Sequence, residues 1–266
     1  SNTPSCGDSR FGCYVCTMVD KDKSLSAMIS NDEDKKWMIP LSVFRDEKLP
    51  RQNDFVNRDF RRLSGNLDVY MKEGQYHLTP GPYKQSYRHE LLSSLLQAQV
   101  DIRKNAPDGM KNFEVISIEE LNEIRRIWIE DKHEIEDFLP EIYSKVIGKK
   151  FPGMKEAYKS IFTKKDLDVL KSICTNSDDP DNIHYQMLRE MIHIEHGYKS
   201  AKKRDGIYDK LEKSLRKHAF TNREDALKYK LVQKNGGDEQ INSDENDEID
   251  AWIDERKKEK IMDKSL

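Results

Sequence analysis

No stretch of this chain approaches the roughly 18 uninterrupted apolar residues that a membrane-spanning helix requires. The first residues also lack the basic and then apolar order of a secretory signal peptide. The chain has little excess charge, since 46 basic and 49 acidic side chains give a net charge of -3, whereas many nucleic-acid-binding domains are strongly basic. We therefore expect a cytoplasmic protein without a membrane partner, in which any contact with nucleic acid is local.

Motifs for nucleotide chemistry are absent as well. The sequence contains no Walker loop, no Gly-x-Gly-x-x-Gly, no Ser-Gly-Gly-x-Asp-Ser phosphate loop and no nucleophile elbow. The residues themselves therefore identify no site for nucleotide hydrolysis. Because the chain begins at Ser1 rather than at methionine, we also expect a fragment or a trimmed protein.

Cysteine is scarce, yet three of the 4 cysteines lie close together, at Cys6, Cys13 and Cys16. Gly7 and Gly12 give this Cys-x6-Cys-x2-Cys loop the backbone freedom to wrap around one centre. In a reducing compartment such a cluster favours metal binding over structural disulfides. Soft thiolate ligands suit an iron–sulfur cluster or zinc. Residue type alone does not separate these two, and it leaves open a loop that binds no metal.

Either kind of centre usually takes four protein ligands, so the loop is one ligand short. Cys174 is a candidate, although its position on the apolar face of a predicted helix is typical of a buried cysteine. His77 is a second candidate, and a solvated histidine is the simpler interpretation there. We favour a third possibility, a ligand that precedes Ser1 in a longer chain.

Arg58, Arg61 and Arg62 form a short cationic cluster. Guanidinium groups bind phosphate through charge-assisted, often bidentate hydrogen bonds, so this cluster is a candidate contact for nucleic-acid phosphate. The alternative interpretation is a solvated helix face, on which the arginines pair with Asp54 and Asp59.

Hydrophobic spacing predicts a mainly α fold. Residues 37–41 are expected to be extended and to lead into a short helix, and Gly74 is expected at the turn of a small β-hairpin. After Pro82, apolar residues recur at three and four positions and predict an amphipathic helix of about 20 residues. Further helices are predicted from the capping box at Ser117, over residues 135–147, from Thr163, after residues 178–182, from Ile207 and from Asn222.

These elements divide the chain into three predicted parts. Residues 1–80 form an irregular cysteine-loop segment with the possible hairpin, and residues 81–235 form a helical domain. Residues 236–266 contain Trp252 and Ile253 but little else that could join a core, so they are predicted to be a mobile, charged tail.

Residues 6–17, with the sequence Cys-Gly-Asp-Ser-Arg-Phe-Gly-Cys-Tyr-Val-Cys-Thr, are followed by Asp22-Lys-Ser. This combination resembles the signature of the DndC family of DNA phosphorothioation sulfurtransferases, which is similar to the phosphoadenosine-phosphosulfate reductases. Later segments resemble the C-terminal half of that family: residues 37–45, 58–62, 81–83 with Arg88 and the leucine-rich helix after it, and 124–128. The resemblance covers roughly residues 3–215, and the cysteine loop is its most specific part.

The resemblance implies a DNA modification, of the restriction-modification type, that replaces a non-bridging oxygen of the backbone phosphate with sulfur. It also implies that Cys6, Cys13 and Cys16 ligate a [4Fe-4S] cluster rather than zinc, with a fourth cysteine upstream. A cysteine desulfurase would supply the sulfur, and DNA and other DNA phosphorothioation proteins would be partners. ATP would activate the phosphate through the family's N-terminal α/β half. We expect this chain to lack that half and to be inactive alone.

A competing interpretation uses zinc and involves no catalysis. In it, the chain is a zinc-stabilised helical module with a binding or assembly role, and the cysteine loop fixes the N-terminus to the helices. The two interpretations differ in metal content, which makes them separable by experiment.

Overall fold

The computed structural model describes residues 22–49, 55–153, 162–175, 179 and 181–234. Of these residues, 62% are helical and 5% lie in strands, which confirms the predicted mainly α fold. The described ranges contain nine α-helices and one two-stranded antiparallel sheet. Among the helices described, none combines the length and the hydropathy needed to cross a bilayer.

The α-helices are, in chain order, α1 (Lys23–Asn31), α2 (Ile39–Val43), α3 (Gln85–Asn105), α4 (Ile118–Arg126), α5 (Leu139–Ile147), α6 (Lys164–Cys174), α7 (Ile183–Tyr198), α8 (Ile207–Lys217) and α9 (Arg223–Lys234). The strands β1 (Val69–Lys72) and β2 (Gln75–Leu78) lie between α2 and α3. Shorter segments have 3₁₀ geometry at Glu33–Met38 and Asp108–Met110, and π-helical geometry at Phe44–Lys48 and Ile127–Asp131.

The chain forms two compact units. The first unit comprises Ser1–Asn53, Gln85–Asp131 and Asp137–Lys159, and the second comprises Asp54–Lys84, Lys132–Glu136 and Ser160–Leu266. The chain therefore passes between the units several times. The predicted three-part division stays a prediction, and residues 236–266 lie outside the described ranges.

The core of the first unit is built on α3. The predicted helix of about 20 residues is confirmed, since α3 has 21 residues and buries Leu92, Leu96 and Ile102. Ile102 packs in one hydrophobic cluster with Leu41, whereas Leu96 packs in a second cluster with Trp128. One amphipathic helix thus contributes to both clusters of this unit.

The extended conformation predicted for residues 37–41 is wrong. The 3₁₀ segment Glu33–Met38 runs directly into α2, and Pro40 lies in the first turn of that helix. Proline is tolerated there because the N–H groups of the first turn have no acceptor within the helix. Trp37, Met38 and Leu41 are therefore buried along a helical path.

The capping box predicted at Ser117 is confirmed, whereas the helix predicted over residues 135–147 begins too early. The Glu120 N–H donates to Ser117 Oγ at 3.1 Å, and the Ser117 N–H donates to Glu120 Oε2 at 2.8 Å. The later helix α5 starts only at Leu139, with Pro140 in its first turn. A proline further inside the helix would remove a hydrogen bond and clash with the preceding turn.

The second unit contains the predicted hairpin. Glu73 and Gly74 both have positive φ, 53° and 86°, as the two central residues of a tight type I′ turn require. Leu78 of β2 packs in a hydrophobic cluster with Phe60 and with Leu227 of α9. Helices α6, α7, α8 and α9 confirm the predictions made from Thr163, from the break at residues 178–182, from Ile207 and from Asn222.

Candidate nucleic-acid interface

The predicted metal loop cannot be placed in the fold, because Cys6, Cys13 and Cys16 lie outside the described residues. Within the part of the chain that the structure describes, no group of three or more His, Cys, Asp or Glu side chains could hold a metal ion. Cys174 is the last residue of α6 and is partly exposed, and the pKa of its thiol is raised by burial and by Asp179. The other candidate fourth ligand, on β2, is His77.

Arg58 is held by the segment that follows the hairpin. Its Nη1 donates to the Gly81 carbonyl at 3.1 Å, and its Nη2 donates to the Tyr83 hydroxyl at 2.6 Å. The guanidinium carbon lies 4.1 Å from the centre of the Tyr83 ring, a cation–π contact. Its Nε is buried and has no hydrogen-bond partner in the described structure. The orientation of Arg58 is therefore fixed by hydrogen bonds from two of its five N–H donors.

Arg61 has a different environment from its two neighbours. Its side chain is 5% exposed and makes a bidentate pair with Asp59, with distances of 2.9 and 3.0 Å. Its Nη1 also donates to the carbonyls of Lys217 and Phe220, at 3.3 and 3.2 Å. The expected pairing with Asp59 is thus present, but in an irregular segment and not on a solvated helix face, whereas Asp54 lies outside the described residues. We assign Arg61 a structural role in joining this segment to the end of α8.

Arg58 and Arg62 lie together along one wide, open cavity with a volume of about 620 Å³. Lys213 of α8 contributes a third cation to this cavity. The rest of the lining is Leu63, Ser64, Pro80, Gly81 and Pro82. This cavity is the cationic pocket. It brings together two of the three arginines predicted to contact phosphate and adds a lysine that sequence reasoning missed.

The charge of the cationic pocket is only partly compensated. Arg62 is 45% exposed, its Nη1 donates to the Pro80 carbonyl at 3.0 Å, and its Nε lies 3.5 Å from the Asp68 carboxylate. Lys213 is exposed and makes no ion pair with any described residue. Three cations beside one carboxylate form a surface that attracts an anion such as phosphate.

A buried polar cluster fixes the end of the helix that carries Lys213. Glu190 of α7 accepts a hydrogen bond from the ammonium of Lys217 at 2.7 Å, and the His218 ring lies 3.8 Å from the same carboxylate. His218 Nδ1 is 2.8 Å from the Ser214 carbonyl, and because a carbonyl only accepts, this nitrogen carries the proton. The pKa of His218 is lowered, chiefly by burial. These contacts anchor α8 one turn beyond Lys213.

Comparison with known proteins found no match to a family model, a curated protein or a solved structure.

Proposed function

We propose that this chain is the iron–sulfur-bearing C-terminal part of a sulfurtransferase that incorporates sulfur into the DNA phosphate backbone. The observation that carries the proposal is the cationic pocket, in which Arg58, Arg62 and Lys213 line one cavity. Guanidinium and ammonium groups neutralise a bound phosphodiester and release its counterions, which favours binding of DNA. They would also stabilise negative charge that accumulates at the phosphate during substitution.

Cys6, Cys13 and Cys16 are the residues that we propose hold a [4Fe-4S] cluster. Three clustered thiolates are a donor set that fits such a centre. When bound, a cluster of this kind supplies electrons or an iron site for sulfur. Cys174 and His77 remain candidates for the fourth ligand, together with a residue outside this sequence.

The remaining parts of the proposed reaction come from partners. Activation of the phosphate by ATP requires a nucleotide site, and the sequence contains no phosphate-loop motif. In the family that the chain resembles, the N-terminal half binds ATP. We propose that a cysteine desulfurase donates the sulfur in the cytoplasm, together with other DNA phosphorothioation proteins. The part played by the described residues is to bind and orient the DNA phosphate.

The proposed DNA contact is tested by replacing Arg62 and Lys213 together with alanine. Removing two cations from the cationic pocket should weaken binding to duplex DNA and make the salt dependence shallower by about 0.9 for each phosphate that is no longer neutralised. Replacing Lys202 and Lys228 together with alanine is the matched control, because it removes two exposed cations of the same unit that do not line the cavity. Fluorescence anisotropy at several salt concentrations gives both quantities. Unchanged affinity in the double variant, or an equal loss in the control, would contradict the proposed contact.

The proposed cofactor is tested by measuring iron, acid-labile sulfide and zinc in protein purified without oxygen. We expect iron and sulfide, and we expect Cys13→Ser to lose both because a thiolate ligand is removed. Cys174→Ser should retain the metal unless Cys174 is the fourth ligand. Colourless protein with stoichiometric zinc and no iron would instead support the zinc-stabilised binding or assembly module.

A further inference from the structure

The face of the hairpin that points away from the hydrophobic core carries an aromatic pair. Val69, Tyr76 and Leu78 pack in or against the core cluster of the second unit. Because side chains alternate along a strand, Tyr70 and His77 lie on the opposite face. They are direct cross-strand partners, and their ring centroids are 5.5 Å apart with an interplanar angle of 33°.

This outer face begins next to the cationic pocket. Asp68 precedes β1 and lies two residues before Tyr70, so its side chain shares the outer face. The Thr79 N–H donates to the Asp68 carbonyl at 2.7 Å, which continues the strand pairing to this position. Since Arg62 lies 3.5 Å from the Asp68 carboxylate and lines the cationic pocket, the pocket and the aromatic pair are neighbours on one surface.

Charged side chains of both signs, Lys72, Glu73 and Arg223, lie near the aromatic pair. Lys72 has the same side-chain direction as Tyr70, and its side chain is 58% exposed. Burial raises the pKa of Tyr70, and Arg223 of α9 acts on it in the opposite direction. Burial has the largest effect on His77 and, together with Lys72 and Arg223, lowers its pKa.

We infer that Tyr70 and His77 form a stacking platform for a base of single-stranded DNA whose backbone phosphate binds in the cationic pocket. The inference rests on the proposed function, because it requires the DNA phosphate contact at Arg62 and Lys213. Two residues of strand separate Asp68 from Tyr70, or about 7 Å, which one nucleotide can span. Single-stranded DNA is the partner because an aromatic side chain can stack only on a base whose face is not covered by its neighbours in a duplex.

The test uses a single-stranded oligonucleotide that contains 2-aminopurine, a base whose fluorescence falls when it stacks. Binding to the wild-type protein should quench this fluorescence. Tyr70→Ala should weaken single-stranded binding by about tenfold and leave its salt dependence unchanged, because it removes stacking and no charge. Tyr70→Phe, which keeps the ring, should bind like the wild type. Circular dichroism of each variant checks that the hairpin unit remains folded.

The outcomes separate this inference from the proposed function. Binding that depends on Arg62 and Lys213 but shows no quenching, and no effect of Tyr70→Ala, would overturn the stacking platform and retain the phosphate contact. In that case the aromatic pair only stabilises the hairpin. Absence of binding to both single-stranded and duplex DNA would overturn both.

Discussion

Gly81 lies where two segments of backbone meet beside the cationic pocket. Its N–H donates to the Asp59 carbonyl at 2.7 Å, and its own carbonyl accepts from Arg58 at 3.1 Å. A Cβ at this position would overlap the Arg61 carbonyl and come within 3.1 Å of the Asp59 carbonyl. The close approach that positions Arg58 therefore requires a residue without a side chain.

We predict that Gly81→Ala lowers the free energy of unfolding by about 1–3 kcal/mol, because the backbone must shift to admit a methyl group. Gly197→Ala, in α7, is the control, since nothing lies within 4 Å of a Cβ there. Alanine in that helical position should be neutral or stabilising by about 0.5–1 kcal/mol. Urea unfolding of both variants measures the difference. If Gly81→Ala unfolds at the same urea concentration as the wild type, the segment can relax around the new methyl group.

The different environments of the adjacent Arg61 and Arg62 could not be predicted from the sequence. Arg61 and Arg62 are identical in type, but Arg61 is 5% exposed and bonded to backbone carbonyls of a distant segment, whereas Arg62 is 45% exposed. Their difference comes from an irregular loop held by tertiary contacts, so the periodicity of the sequence carries no information about it. Lys213 could not be predicted either, because its position beside Arg58 depends on how α8 packs.

Among the elements, those with strong local chemistry were predictable. The hairpin depends on a turn that Gly74 makes possible, and α4 depends on the capping box at Ser117. In contrast, the stretch 33–48 combines 3₁₀, α and π geometry, none of which has a distinctive repeat over so few residues. Its path follows from the burial of Trp37, Met38 and Leu41, which is a tertiary effect.

The capping box at Ser117 leads to a prediction about stability. Ser117→Ala removes the acceptor for the Glu120 N–H and should destabilise the first unit by about 1 kcal/mol. Ser117→Asp keeps an acceptor at the N-cap and should retain most of the stability. Urea unfolding followed by tryptophan fluorescence measures the change, because Trp37 and Trp128 are buried in this unit. A loss of stability as large in Ser117→Asp as in Ser117→Ala would argue against a capping role.

For the whole molecule, the order of the elements was predictable but their grouping was not. The second unit takes residues 132–136 from the middle of the chain, between two stretches of the first unit. Local pattern cannot predict this, because the segment is held by polar contacts: Glu136 pairs with Arg189 at 2.9 Å and accepts from the Tyr185 hydroxyl at 2.8 Å. His133, which has a φ of 56°, lies in the same short segment.

The half-buried His133 and the buried His218 of the second unit should make its stability depend on pH. Burial, with further effects of His193, Lys217 and Arg189, lowers the pKa of His133 to about 4, although Glu190 acts in the opposite direction. In the unfolded chain this histidine has an ordinary pKa near 6.5. Between pH 6.5 and about 4, the unfolded chain therefore binds a proton that the folded chain does not. Acid in this range should destabilise the unit by at most about 1.4 kcal/mol per pH unit for each such histidine.

We predict that His133→Asn makes the free energy of unfolding less sensitive to pH between 6.5 and about 4. Asparagine is the suitable replacement because it tolerates the positive φ of this position and does not titrate. Above pH 6.5 neither the wild type nor the variant should change in stability through this residue, since the imidazole is neutral in both the folded and the unfolded chain. Urea unfolding of both proteins at several pH values between about 4.5 and 7.5 provides the comparison. An equally steep acid loss in the variant would assign the pH dependence to other groups, of which the buried His218 is the first to replace in the same way.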